Sequence, residues 1–209
     1  MSRKKILLYQ GGRYSSKDVS FKHFKSILTD YTIDTFEDVQ IFNSDEFFGY
    51  IAAIFYSQGG ELTKQQEMNI LKFINAGRGF IGLHGASASF KSHSKYFEML
   101  GGRFISHKRF KSFKVINVDK EHPITSGLED FTVKDEPYRH ELYISKDIHI
   151  LAKADYQDVE NSNLEPIMWT KSYGDGRVFY CSLGHRTNSL KSPIFQKIIQ
   201  RAVKWVIKS

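Results

Sequence analysis

The sequence lacks a second cysteine. Cys181 stands alone among 209 residues, so no internal disulfide can form, which is in keeping with a reducing compartment. It also lacks a long apolar run: the stretch Ile6–Tyr9 behind the basic start is far too short for a signal or membrane segment, and a cytoplasmic protein with no membrane partner is expected. Zinc-finger spacing, an RNP motif and a glycine-rich phosphate loop are all missing. No repeat, linker or low-complexity segment divides the chain, so residues 1–209 are expected to form a single domain.

What is present is an ordinary core supply, 41% apolar and 14% aromatic residues, enough for one sizeable interior. The formal charge of +7, from 30 basic against 23 acidic residues, raises the question of nucleic acid. The lysines are dispersed, however, and the densest run, Ser106–Lys114, interleaves basic residues with phenylalanines as a half-exposed strand does. A solvated surface without specific nucleic-acid recognition is the expectation.

Strand-like runs alternate with helical periods along the chain, which argues for a largely parallel sheet covered on both faces. Lys5–Gln10, the segment TIDTFED and Tyr50–Gln58 read as strands, the last in a central place. Phe21, Phe24, Ile27 and Leu28 give a first helix its buried face. Thr63 and Gln66 have capping-box spacing ahead of a helix whose stripe is Met68, Ile70, Leu71 and Ile74, with Gly77 as its stop. SKYFEMLGG predicts a short helix, FKVINVD the start of a less regular region, and HPITSGLEDF a turn-rich one. IHILAKAD predicts a strand. EPIMWTKSYGDGRVFYCSLGH predicts two more, joined at Gly174-Asp175-Gly176 by the positive φ angles of a tight turn. Pro193–Ile207 carries a helical stripe from Phe195 to Val206.

The chemistry is concentrated where apolar runs stop. Phe80-Ile81-Gly82-Leu83 breaks at His84, and Gly85-Ala86-Ser87 follow where a sharp turn needs small residues. In α/β proteins a strand end of this kind holds a reactive side chain with its tip exposed. His185 ends a second apolar run. Asp135 and Glu136 lie in KDEPYRH, which has no amphipathic period; either one facing the pocket, or a solvated loop, is compatible with that pattern. Two imidazoles with Glu136 suit acid–base work near neutral pH, and equally a divalent metal such as zinc; the residues alone leave both open. Tyr138 offers a phenol to a hydroxylated ligand and Trp169 a stacking face for a sugar. His107, Ser87, Gly11 and Gly12 complete the expected substrate contacts, whereas His122 reads as a turn residue beside Pro123.

The succession GRGFIGLHGAS, YFEMLGGRFISH, HPITSGL, DEPY, EPIMW and YGDGRVFYCSLGH, running from Gly77 to His185, resembles the trehalose-utilisation (ThuA-like) family of the class I glutamine amidotransferase-like superfamily. The resemblance implies a flavodoxin-like three-layer α/β sandwich with a mostly parallel central sheet and a pocket at the carboxyl ends of its strands. It also implies a small sugar-like ligand, an oxidised keto-sugar included, and a hydrolase or lyase reaction. Assembly into a homo-oligomer is compatible with it. In the amidotransferases the elbow residue is a catalytic cysteine; here the similar position is His84, and Cys181 lies inside an apolar strand as inert packing, which disfavours glutamine hydrolysis. Members often place a histidine soon after the first strand, where this chain has Gly11-Gly12-Arg13-Tyr14 and no histidine before His23. The rival reading is a binding or regulatory domain that keeps the sandwich without catalysis.

Overall fold

The computed structural model describes residues 3–12, 17–143, 148–157 and 164–208. Short apolar runs bounded by turn residues make the strands, and the first four alternate with helical segments: β1 (Lys5–Tyr9), α1 (Lys17–Ile27), β2 (Thr32–Phe36), a 3₁₀ turn at Val39–Asn43 with α2 (Asp45–Phe48), β3 (Ala52–Phe55), α3 (Lys64–Asn75) and β4 (Gly79–Leu83). A 3₁₀ turn (His84–Ala88), α4 (Ser94–Leu100), β5 (Gly102–His107), β6 (Lys111–Asn117), β7 (Phe131–Asp135), β8 (Tyr138–Leu142), β9 (His149–Asp155), β10 (Glu165–Tyr173), β11 (Gly176–Cys181), α5 (Thr187–Leu190) and α6 (Pro193–Val206) follow.

One sheet runs β2-β1-β3-β4-β11-β10-β9-β6-β7, and β5 pairs with β8 in a separate ribbon. From β2 to β11 neighbouring strands are parallel, and antiparallel pairs extend the sheet from β10 to β7. Successive residues of β1, β3, β4 and β11 point to opposite faces, and both faces are buried, which is why these strands read as nearly unbroken apolar runs. Ile6, Leu8, Ile54 and Leu83 pack with Phe24 of α1 and Ile198 and Ala202 of α6. Leu7, Tyr9, Phe55 and Phe80 pack on the other side with Phe73 and Ile74 of α3 and Tyr96 of α4. The expected three-layer α/β sandwich is therefore what the chain forms.

The capping box at Thr63 and Gln66 closes in both directions. The stripe on α3 differs in one member: Met68 is 52% exposed and Phe73 is buried. At about 100° per residue Met68 lies some 200° round from Ile70, on the solvent side. The region begun by FKVINVD is regular, since Phe113, Val115 and Asn117 alternate inward along β6. Ser106–Lys114 is not one strand but the end of β5, a turn and the start of β6. In the β10–β11 turn only Gly174 has a positive φ, of 57°. No helix among the described residues is long and apolar enough to cross a membrane.

Candidate active site

The parallel strands β4 and β11 end side by side, with Leu83 opposite Cys181, and the chain leaves each strand into a segment that carries a histidine. His84 sits at the break with φ of +46°, a left-handed conformation that a non-glycine residue rarely adopts. Such a conformation costs about 1–3 kcal/mol and persists only where the surroundings over-determine it. Here they do. A Cβ on Gly85 would lie 2.5 Å from the Ser57 carbonyl oxygen, so the turn can pass only as glycine. Tyr180 on β11 donates its hydroxyl to the His84 carbonyl at 2.8 Å, and Ser87 Oγ lies 2.7 Å from the same hydroxyl.

The His84 side chain is 2% exposed and held at both nitrogens. Nδ1 lies 2.8 Å from the Ser182 carbonyl, which can only accept, so Nδ1 carries the proton and Nε2 presents its lone pair. Around Nε2 stand His185 Nδ1 at 3.1 Å, the Tyr138 hydroxyl at 3.0 Å and Glu136 Oε2 at 3.5 Å. Glu136 Oε2 is 3.1 Å from His185 Nδ1, which closes a triangle. The Tyr138 ring lies tilted against His84 with centroids 4.4 Å apart.

Asp135 fixes the other two corners. It is fully buried; Oδ1 accepts the backbone N–H of Glu136 at 2.8 Å and of His185 at 3.1 Å, and Oδ2 accepts that of Gly184 at 2.8 Å. One side chain thus ties the end of β7 to the segment after β11. Of the two carboxylates that the sequence left open, Glu136 faces the cluster and Asp135 holds the backbone beneath it. Burial alone would raise the Glu136 carboxyl, but the His185 and His84 imidazoles beside it overcome that and keep it well below the usual carboxylate range.

His107 stands at the rim, 45% exposed, with Nδ1 3.8 Å from Glu136 Oε1. The remaining expected contacts fall elsewhere. Trp169 is fully buried, donates Nε1–H to the Leu100 carbonyl at 2.8 Å and stacks on Tyr180 at 4.3 Å, so it offers no face to a ligand. Ser87 lies beneath the elbow and is spent on Tyr180. Gly11 packs against the Tyr9 ring and Gly12 bridges to Gln58, which makes both structural. Arg13 and Tyr14 lie outside the described residues, and His23 is buried on α1 beside Phe24 rather than in the cluster. Cys181 is fully buried and its thiol is pushed up to about 12 by burial, which leaves it inert.

Sequence reasoning missed the support beneath the elbow. His140, two residues after Tyr138 on the same face of β8, reaches the Tyr180 hydroxyl at 3.1 Å. The alternation Tyr138, His140 against Arg139, Glu141 was the signal available for it.

Larger cavities lie away from this cluster. One of about 460 Å³ is lined by Arg177, Arg201, Lys204 and Trp205, and the two arginines there already donate to backbone carbonyls. Among the described residues, the convergent, titratable and partly buried set that could hold an ion is the one at the elbow.

The family model described as trehalose utilisation matches residues 5–206. Among solved structures, a ThuA-like protein of Parabacteroides merdae ATCC 43184 superposes with a TM-score of 0.83 at 23% identity, covering 99% of this chain and 90% of that one. A ThuA-like protein of Bacteroides uniformis ATCC 8492 gives 0.83 at 22%, covering 98% and 91%. A glutamine amidotransferase of Thermotoga maritima shares the fold at greater distance, with a TM-score of 0.62 at 10% identity over the full length of both chains. No curated protein matches the chain. At these identities the solved structures speak for the fold, and the match over nearly the whole sequence speaks for descent: the chain belongs to the ThuA, or trehalose-utilisation, family.

Proposed function

We propose that this protein is an enzyme acting on a sugar or keto-sugar derivative through His84, His185 and Glu136, with a divalent metal such as zinc held by those three residues. The observation that carries the reading is the triangle of His84 Nε2, His185 Nδ1 and Glu136 Oε2, with edges of 3.1, 3.1 and 3.5 Å. Ligand atoms about 2.0–2.1 Å from a tetrahedral ion stand about 3.3 Å apart, so three donors of suitable chemistry are already at coordinating separation. Two imidazoles with one carboxylate and an open position form a familiar catalytic donor set. When bound, the ion supplies Lewis-acid polarisation of a carbonyl or hydroxyl oxygen.

The chain's own residues support this role. The Ser182 carbonyl fixes the tautomer that turns the His84 Nε2 lone pair toward the cluster. Asp135 sets the backbone on either side of the site, and Glu136 stays ionised at neutral pH as ligand or proton acceptor. Tyr138 brings a hydroxyl to the same point, where it can orient a substrate oxygen. The sugar class follows from the family's association with trehalose utilisation. A buried, unreactive Cys181 removes the thiol route of the amidotransferases.

The test is titration of the chelator-stripped protein with zinc and with manganese by calorimetry, followed by turnover of keto-sugars and glycosides. One ion per chain is expected, with affinity falling by at least ~100-fold in Glu136→Gln and in His185→Ala. Equal affinity in the parent and both variants overturns the metal assignment. No turnover of any carbohydrate leaves the ligand-binding rival in its place.

A further inference from the structure

We infer that the mouth of this site recognises a negatively charged group on the substrate, a phosphate or a carboxylate, through Arg186 and Lys134 arranged about Phe110. The inference rests on the reading above that the elbow cluster is the reacting centre, and it adds the class of molecule that centre receives.

Phe110 is half-buried, and its ring centroid lies 5.8 Å from that of His185. The Arg186 guanidinium sits over the ring at 4.2 Å and the Lys134 ammonium at 5.9 Å. Both cations are exposed, and each is the chain neighbour of a site residue: Arg186 follows His185, and Lys134 precedes the Asp135-Glu136 pair. Neither has a carboxylate partner among the described residues. The two acids at hand are committed, since Asp135 accepts three backbone N–H groups and Glu136 is bonded by His84 and His185.

Solvated cations need no such arrangement. A planar guanidinium laid on an aromatic face has already given up part of its rotamer freedom, and its fork of donors matches a phosphate or carboxylate. A second cation lies against the same ring. A sugar ring reaching the His84–Glu136–His185 cluster would bring a charged substituent past Phe110, and the protein's net charge of +7 favours the approach. Phosphate and carboxylate share this chemistry, so the experiment separates them.

The experiment is calorimetric titration of the full chain with inorganic phosphate, after bound metal has been stripped and the chelator dialysed away so that no metal contributes. Millimolar or tighter binding is expected, weakened at least ~10-fold by Arg186→Met and by Lys134→Met, unchanged by Lys64→Met on α3, and weakened by added salt. Competition by glucose 6-phosphate, by glucuronate and by glucose then assigns the source. Displacement by the first alone marks a phosphate, by the second alone a carboxylate, by both an undiscriminating anion site; displacement by neutral glucose as well as by the anions overturns the inference. So does phosphate binding that is absent, or equal in the parent, Arg186→Met and Lys134→Met. Lys134→Met lies on an exposed strand position and keeps the test open should Arg186→Met fold poorly. Glu136→Gln is the internal control. If it keeps phosphate binding yet also keeps turnover, the catalytic reading fails while the anion site stands; if it loses turnover while Arg186→Met binds phosphate like the parent, the reverse holds.

Discussion

Two groupings in this molecule place two histidines beside a carboxylate, and they are built to opposite ends. At the elbow, His84, His185 and Glu136 are 2%, 15% and 13% exposed, and one atom of each points at the other two. Near the far end of α6, His149 Nε2 lies 2.7 Å from Asp119 Oδ2 and stacks on His122 with ring centroids 5.7 Å apart. There the heteroatoms are spent locally. Asp119 Oδ1 accepts the backbone N–H of Glu121 and of His122, and His122 Nδ1 accepts that of Ile124. The second group shapes a turn; the first has its backbone held by Asp135 and its His84 tautomer fixed by Ser182, so its inward donor and acceptor atoms face one another. Proximity of the right residue types is therefore not what marks a site. The direction in which the donors and acceptors point is.

The largest effect expected from this contrast is on activity. Glu136→Gln keeps the size of the side chain but removes the charge and one acceptor, and should lower turnover by at least ~100-fold. Asp119→Asn is the same chemical change in the other grouping, and should leave turnover within about threefold, as expected for a surface substitution. Steady-state kinetics with thermal melts of both variants read the difference. Comparable losses in two folded proteins would place the functional carboxylate outside the elbow.

Much of this was legible in the sequence because it depends on local pattern. The break from Leu83 to His84, the box at Thr63 and Gln66 and the stripe on α6 are set by neighbours a few residues apart. Glu136 stood out because no amphipathic period explained it. The rest depended on partners distant in the chain. Trp169 looked like a sugar platform until its donor to Leu100, 69 residues away, put it in the core. Asp135 and Ser182 act on or through backbone groups, which leave no residue signature. β8 is five residues long and rich in polar types, so its alternation is hard to separate from a loop.

A middle-sized effect concerns pH. His140 supports the elbow through Tyr180 while buried, and burial, partly opposed by the Pro166 carbonyl, pushes its imidazole down to about 3. A folded value below the unfolded one of about 6.5 means that the unfolded chain binds the extra proton first. The stabilising contribution is thus complete above pH 6.5 and is lost as pH falls toward 3, at up to about 1.4 kcal/mol per pH unit. Denaturant unfolding at intervals between pH 7 and 4 should show that acid slope in the parent and a flatter one in His140→Phe. Identical slopes would remove His140 from the account.

The smallest effect tests whether the exposed pair matters at all. His149 is 55% exposed and Asp119 25%, so solvent screens their attraction, and an exposed ion pair contributes about 0–1 kcal/mol. Asp119 does more than pair: its other oxygen caps the turn at Glu121 and His122, and that role survives the loss of His149. His149→Ala should therefore cost less stability than Asp119→Ala, and the coupling between the two in a double-mutant cycle should stay under about 1 kcal/mol and shrink as salt is added. The same cycle on Glu136 and His185, which are largely shielded from water, should give a larger coupling that salt hardly changes. Equal couplings with equal salt dependence would erase the distinction between the two groupings, because the elbow would then behave as one more solvated ion pair.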